Sequence, residues 1–284
     1  MKKLFAFLAV LILALCACQP SGEDIELARD DASDSPLLYN YERQTARVAF
    51  TCNRTWKASS PDEWIELDAS KGSAGEGQKL KFYLTENPSY EYRTGSITIT
   101  AGSSVLELQV IQEPKLIYLV QENFHTDQLI VESDLPYGWA SIDADGDGYE
   151  WRCWLDSESE QTFAYSASFY DVTYKTLSPD NYMVSPQFTI PSKGFSVKWD
   201  ARGSDPEFLG DKYEVYTAAI VDGKVNLHRV ICEETIESAT EFSHHDINLD
   251  GYEGLKICIV FRHFDSTNLA RVLITNVEVS NRKY

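Results

Sequence analysis

Basic residues are scarce in this chain. Its 284 residues include 25 Lys and Arg against 44 Asp and Glu, a formal net charge of −19. A surface so acidic argues against nucleic acid as a partner, because that binding rests on neutralising phosphates. Long apolar runs are lacking too: residues 4–15 are about a dozen in a row, too short to cross a bilayer. The 6 cysteines show no C-x-x-C spacing, which disfavours a zinc or dithiol redox centre. No G-x-S-x-G, H-E-x-x-H or Walker loop occurs, so the commonest hydrolase, metalloprotease and nucleotide signatures are missing. A carboxylate pair for glycoside hydrolysis leaves no sequence signature and stays open. No convincing helical pattern is present either.

Strand patterns and aromatics fill the space. The chain holds 16 Tyr, 13 Phe and 6 Trp, residue types that suit a pleated, half-buried surface. Val48, Phe50 and Cys52 alternate with Ala49 and Thr51, and Leu80, Phe82 and Leu84 with Lys81 and Tyr83. Ile97 and Ile99, then Leu106, Leu108 and Val110, repeat the period of two that marks a half-buried strand. Residues 37–114 therefore read as a small Ig-like β-sandwich, with Trp56 and Trp64 in its core. Residues 115–284 carry many further alternating runs separated by Asn, Pro, Gly and Asp. That number of strands implies a sandwich or barrel, most naturally the two packed sheets of a jelly roll. The fold class is all-β.

One stretch carries chemistry. Residues 138–151 read G-W-A-S-I-D-A-D-G-D-G-Y-E-W. Gly146 and Gly148 weaken a helix and Asp prefers turns, so Asp143, Asp145 and Asp147 share a loop. Their mutual repulsion is relieved by a hard cation, and D-x-D-x-D-G offers Ca²⁺ oxygens at alternate positions, with the Tyr149 carbonyl next. Trp154 stands where an EF-hand has its bidentate Glu, so only half of that signal is present. The alternative is a solvated acidic turn without a metal. His244-His245-Asp246 reads as another solvated turn, since adjacent strand residues face opposite ways and cannot share one metal.

The N-terminus supplies an address. Met1-Lys2-Lys3 and the apolar run read as a signal peptide over residues 1–17. Leu15-Cys16-Ala17-Cys18 resembles a bacterial lipobox that leaves Cys18 as the lipidated residue. Residues 18–36 are polar and acidic and read as a disordered tether. Cys52 and Cys258 read as buried free thiols, with a Cys232–Cys258 bridge as the alternative.

Two resemblances add to this reading. L-P-Y-G-W at 135–139, D-A-D-G-D-G-Y-E-W at 143–151, S-P-D-N-Y-M-V-S-P at 178–186 and D-K-Y-E-V-Y at 211–216 occur in order. Together they resemble the cleaved-adhesin or choice-of-anchor domain family, known from the haemagglutinin regions of gingipain proteases. The resemblance implies a calcium-binding jelly roll. It also implies a calcium ligand at Glu122, within E-N-F at 122–124. Thr275 departs from the Asp often found in the family's last strand. C-N-R-T-W at 52–56, D-E-W-I at 62–65 and R-T-G-S-I-T-I-T at 93–100 resemble the BACON domain.

The expectation is a non-catalytic outer-membrane lipoprotein exposed at the cell surface. Its calcium-stabilised jelly roll would bind an extracellular glycan, with Trp154, Trp151 and Tyr137 as candidate contacts. An adhesin for host protein and an undescribed glycan hydrolase are the alternatives. Stable anchoring needs more than one acyl chain, as a lipidated N-terminal cysteine provides. Cys18→Ala is therefore expected to move the protein out of the membrane fraction on cell fractionation. Retention of Cys18→Ala together with release of Cys16→Ala would relocate the cleavage site.

Overall fold

The computed structural model describes residues 25–125, 132–156 and 160–282; the expected signal peptide and Cys18 lie outside them. Every regular element among the described residues is a strand. The chain divides into two compact units. The first is built on residues 44–85 and 95–110 with the segment up to Leu37, and the second on residues 38–43, 86–94 and 111–284.

The strands of the first sandwich form two sheets. One has the order Leu27–Arg29, Gln44–Cys52, Gly75–Leu84, Ile65–Leu67. The other has Leu37–Tyr39, Ser104–Gln112, Arg93–Ala101, Trp56–Ser59, Lys71–Gly72. The alternation read from the sequence holds: Val48, Phe50, Cys52, Leu80, Phe82, Leu84, Ile97, Ile99, Leu108 and Val110 are all buried. Trp56 is buried edge-on against Phe50 at 5.2 Å. A Cβ at Gly72 would stand 2.3 Å from its indole. Trp64 is only half-buried. One expectation fails here. Leu27–Arg29 lies inside the segment read as a tether, yet it pairs with Gln44–Cys52, Leu27 opposite Cys52. Leu27 and Arg29 are half-buried, and Arg29 Nη1 donates to the Ser35 carbonyl at 2.7 Å. An acidic context hid a three-residue edge strand.

The second unit is a jelly-roll sandwich. One sheet runs Glu132–Ser133, Arg152–Asp156, Gln161–Ala167, Arg271–Ser280, Ser196–Gly203, Ser243–Asn248, with Tyr118–Glu122 also on Arg271–Ser280. The other runs Ala140–Asp143, Asn181–Val184, Lys256–Phe264, Lys212–Val221, Lys224–Thr235, with Phe188–Thr189 also on Lys256–Phe264. Successive strands cross repeatedly between the sheets, and Trp151, Phe195, Trp199, Tyr213, Phe261 and Ile274 fill the space between them. The four described cysteines are free, so Cys232 and Cys258 are not bridged. His244 and His245 lie on Ser243–Asn248, a strand and not the expected turn.

A polar string threads this core. Asn181 Nδ2 donates to the Tyr149 carbonyl at 2.7 Å and to Ser166 Oγ at 3.2 Å. Ser166 Oγ meets His263 Nδ1 at 2.9 Å, and His263 Nε2 meets Asp211 Oδ1 at 3.1 Å. Asp211 Oδ2 accepts from the Ala270 amide at 3.1 Å. All four side chains are buried. Removing one partner strands the others without water, at a cost of about 3–5 kcal/mol when a charge loses its mate. His263→Ala should therefore lower the unfolding free energy by about 3 kcal/mol in urea titration. A loss no larger than that of a buried His without a charged partner would show that Asp211 does not depend on it.

Candidate functional site

The acidic loop starts where the strand Ala140–Asp143 ends. Asp143 is paired there with Asn181, and the Ala144 amide donates to the Asp180 carbonyl at 3.0 Å. Gly146 and Gly148 turn the chain back at φ 73° and 84°, values that L side chains rarely adopt. The carboxylates brace the turn. Asp143 accepts from the Gly146 amide at 2.7 Å and the Gly148 amide at 2.8 Å. Asp145 accepts from the Asp147 and Asp180 amides at 3.1 and 2.7 Å, and Asp147 from the Tyr149 amide at 2.8 Å.

Ligand oxygens of Asp143, Asp145 and Asp147 all lie within 4.8 Å of one another. Among the described residues this is the one group of three or more His, Cys, Asp or Glu so placed. One Ca²⁺ holding oxygens at roughly 2.3–2.6 Å spans such a separation, so the donor set fits a single hard cation. Burial, then the nearby charges of Asp145 and Asp143, raise the Asp147 carboxyl above the usual range, against the Tyr149 amide and Lys175. The two other expected calcium ligands make hydrogen bonds of their own. The Tyr149 carbonyl accepts from Asn181, and Glu122 accepts from the Phe124 amide at 2.7 Å, outside the aspartate group.

The loop also supports a neighbouring hairpin. The Tyr149 ring packs on Tyr170 at 5.0 Å, and Lys175 Nζ sits 4.3 Å from the Tyr149 centroid. Tyr170 and Lys175 pair across the two short strands Phe169–Tyr170 and Lys175–Thr176. The far side of that hairpin forms one wall of a groove of about 770 Å³.

Trp154, Phe169 and Phe208 give this groove aromatic surface, and Asp156, Asp171, Arg202, Ser204, Asn268 and Arg271 give it polar groups. Phe208 is exposed. The arginines are held in place. Arg202 Nη1 donates to the Ala239 carbonyl at 2.6 Å while its guanidinium covers Phe163 at 4.8 Å. Arg271 pairs with Asp171 at 2.6 Å and lies 5.6 Å from the Trp154 ring. Ser204 Oγ is buried and has no hydrogen-bond partner among the described residues. Asn268 holds a left-handed φ of 55°, a strain that tends to gather at working sites. Apolar faces with a few fixed polar groups are the usual make-up of a small-ligand cleft.

Of the three aromatics expected at a ligand surface, Trp154 lines this groove. Tyr137 is fully exposed but is not part of its lining. Trp151 is corrected: it is 1% exposed, and its indole N–H donates to the Asn181 carbonyl at 3.0 Å, so it belongs to the core. Phe169, Phe208, Arg202 and Arg271 escaped the sequence reading, because only the fold brings such distant positions together.

Residues 117–279 match the model of the Cleaved Adhesin Domain, and the chain belongs to that family. Residues 54–113 match the BACON model, described as a putative N-terminal binding domain. Among particular relatives, Hemagglutinin A of Porphyromonas gingivalis is 26% identical over 206 residues, covering 64% of this chain and 9% of that protein. Gingipain R1 of the same organism is 28% identical over 163 residues, covering 52% of this chain and 10% of that protein. The chain thus spans about a tenth of the length of these curated relatives. The crystal structure of the K1 Cleaved Adhesin domain of Lys-gingipain from P. gingivalis W83 shares 25% identity. It covers 56% of this chain and 96% of that one, at a TM-score of 0.46.

The charge crowding in the loop gives a test. A carboxyl with a raised pKa in the folded state favours its protonated form. Its contribution is present at low pH and is lost as pH rises through the folded value. In chelator at pH 7, Asp147→Asn should raise the melting temperature, by about 1–2 °C because solvent still screens a half-buried group. In millimolar Ca²⁺ the order should reverse, with the wild type gaining and the variant not. A variant that melts below the wild type in chelator would show that the three charges do not repel.

Proposed function

We propose that the second unit is a non-catalytic module that binds an extracellular glycan in the groove lined by Trp154, Phe169 and Phe208. The observation that carries this reading is the groove itself: aromatic faces beside anchored arginines and a buried Ser204 hydroxyl with no partner among the described residues. Sugars present apolar ring faces and many hydroxyls, and a site of this make-up meets both. Ca²⁺ in the loop of Asp143, Asp145 and Asp147 would stiffen Tyr149, which props the hairpin bearing Phe169 and Asp171. The first sandwich serves as a spacer, and a lipid on Cys18 anchors the chain to the outer membrane with the module facing outward.

Binding of a host protein is the second reading, favoured by membership of an adhesin family. A glycan array in millimolar Ca²⁺, followed by calorimetry on the hits, tests the first. Trp154→Ala and Arg271→Ala should each weaken glycan binding by about tenfold, the order of 1–1.5 kcal/mol for losing one well-placed contact. Circular dichroism would confirm that both variants remain folded. No glycan binding, together with saturable binding of a host surface protein, would replace the glycan reading with the adhesin one.

A further inference from the structure

Apart from the loop and the groove, two edge strands of the second unit meet around a thiol, an imidazole and a carboxylate. Cys232 and Glu234 lie on Lys224–Thr235, the edge of one sheet, and His245 on Ser243–Asn248, the edge of the other. Spacing of two puts Cys232 and Glu234 on one face of their strand. A register shift helps to aim them: Val215 pairs with Cys232 and Tyr216 with Val230, leaving Ile231 as the extra residue of a bulge.

Both side chains reach the same ring. His245 Nε2 is 2.8 Å from Glu234 Oε2, and its Nδ1 is 3.8 Å from Cys232 Sγ. The ring is fixed by stacking on Trp199, centroids 4.5 Å apart and planes at 13°. The Tyr213 hydroxyl donates to Glu234 and accepts from Trp199 Nε1 at 3.0 Å. Burial opposes charge on Glu234, but bonds from His245, Ser243 and Tyr213 hold its carboxyl below the usual value. Burial opposes charge on His245 as well, and its bonds to Cys232 and Glu234 outweigh that, raising its pKa to about 9. An imidazolium donates from both nitrogens, so this arrangement suits a thiolate beside Nδ1 and a carboxylate beside Nε2.

Cys232 also differs from the other described thiols in access. It is half-buried, whereas Cys52, Cys153 and Cys258 are buried. Burial pushes Cys153 up to about 12 and Cys258 up to about 11, which keeps both as inert thiols. His245 forms part of the wall of a groove of about 790 Å³, with Trp199, Asp200 and His244.

We propose that Cys232 is a nucleophilic thiolate, activated by His245, that accepts the sulfur of small disulfides and so is a site of S-thiolation. The His245 imidazolium pairs with the Cys232 thiolate, and Glu234 holds the imidazolium in place. Cys232 Sγ then attacks one sulfur of a disulfide R–S–S–R. A new S–S bond forms, the old one breaks, and R–S⁻ leaves with the electron pair to be protonated by solvent. The small disulfide is the two-electron oxidant, and the step needs no other.

The test uses the full chain with oxidised glutathione, mapping each thiolated cysteine by peptide mass spectrometry. Cys232 should react at least about tenfold faster than Cys52, Cys153 or Cys258. Its rate with iodoacetamide should stay nearly level from pH 8 to 6.5, a span over which an ordinary thiol slows by about twentyfold. His245→Gln should restore that ordinary slope. A wild-type rate that falls like an ordinary thiol's overturns the proposal and leaves the cluster a structural network. Reaction of the buried cysteines at equal speed does the same. The wild-type profile decides the matter even where a variant fails to fold.

Discussion

The second unit depends on keeping its buried polar groups paired. Burying a polar atom in a sandwich core is costly unless it finds a hydrogen-bond partner there. Asn181 Nδ2, Ser166, His263 and Asp211 are paired as a string, whereas Asn181 Oδ1 is buried without a partner among the described residues. Ser166 lies on one sheet, while Asn181 and His263 lie on the other. Hydrophobic packing tolerates sliding, whereas these bonds have one geometry, so they fix how the two sheets register. The order Ser, His, Asp resembles the relay of acyl-transfer enzymes. Here all three are buried, and Ser166 Oγ also accepts from Asn181. The arrangement therefore serves to hold the sheets together and not to attack a substrate.

The same string reaches the surface at Tyr149, whose carbonyl receives the Asn181 amide. Its ring supports Tyr170, next to Phe169 in the groove wall. A local change in the acidic loop is thus one residue away from the core on one side and from the groove on the other. The loop touches, through Tyr149, the hairpin whose Phe169 lines the groove.

What could be read in the sequence was what is local. Asp143, Asp145 and Asp147 converge because they are spaced by two around glycines, and the sandwich strands show because their period is two. Leu27–Arg29 was missed because three residues are too few for a period and acidic neighbours suggested a tether. Trp151 stayed among the candidate contacts because nothing in its neighbours records that Asn181 would supply a carbonyl for its indole. Cys232, Glu234 and His245 meet only because edges of two different sheets come together, which no spacing in the chain reveals.

The pairing of Tyr118–Glu122 with Arg271–Ser280 carries a consequence for how the molecule comes to exist. Glu122 lies opposite Val277, and Tyr118 opposite Ser280. The first strand of the module is thus held by Arg271–Ser280, and this edge of the sheet cannot close until those residues are available. Contacts so remote in sequence are slow to form, because loop closure precedes the reward. During synthesis the module stays incomplete until almost its final residues emerge. A chain that completes its fold late is a chain that can still be threaded through a narrow pore before it does.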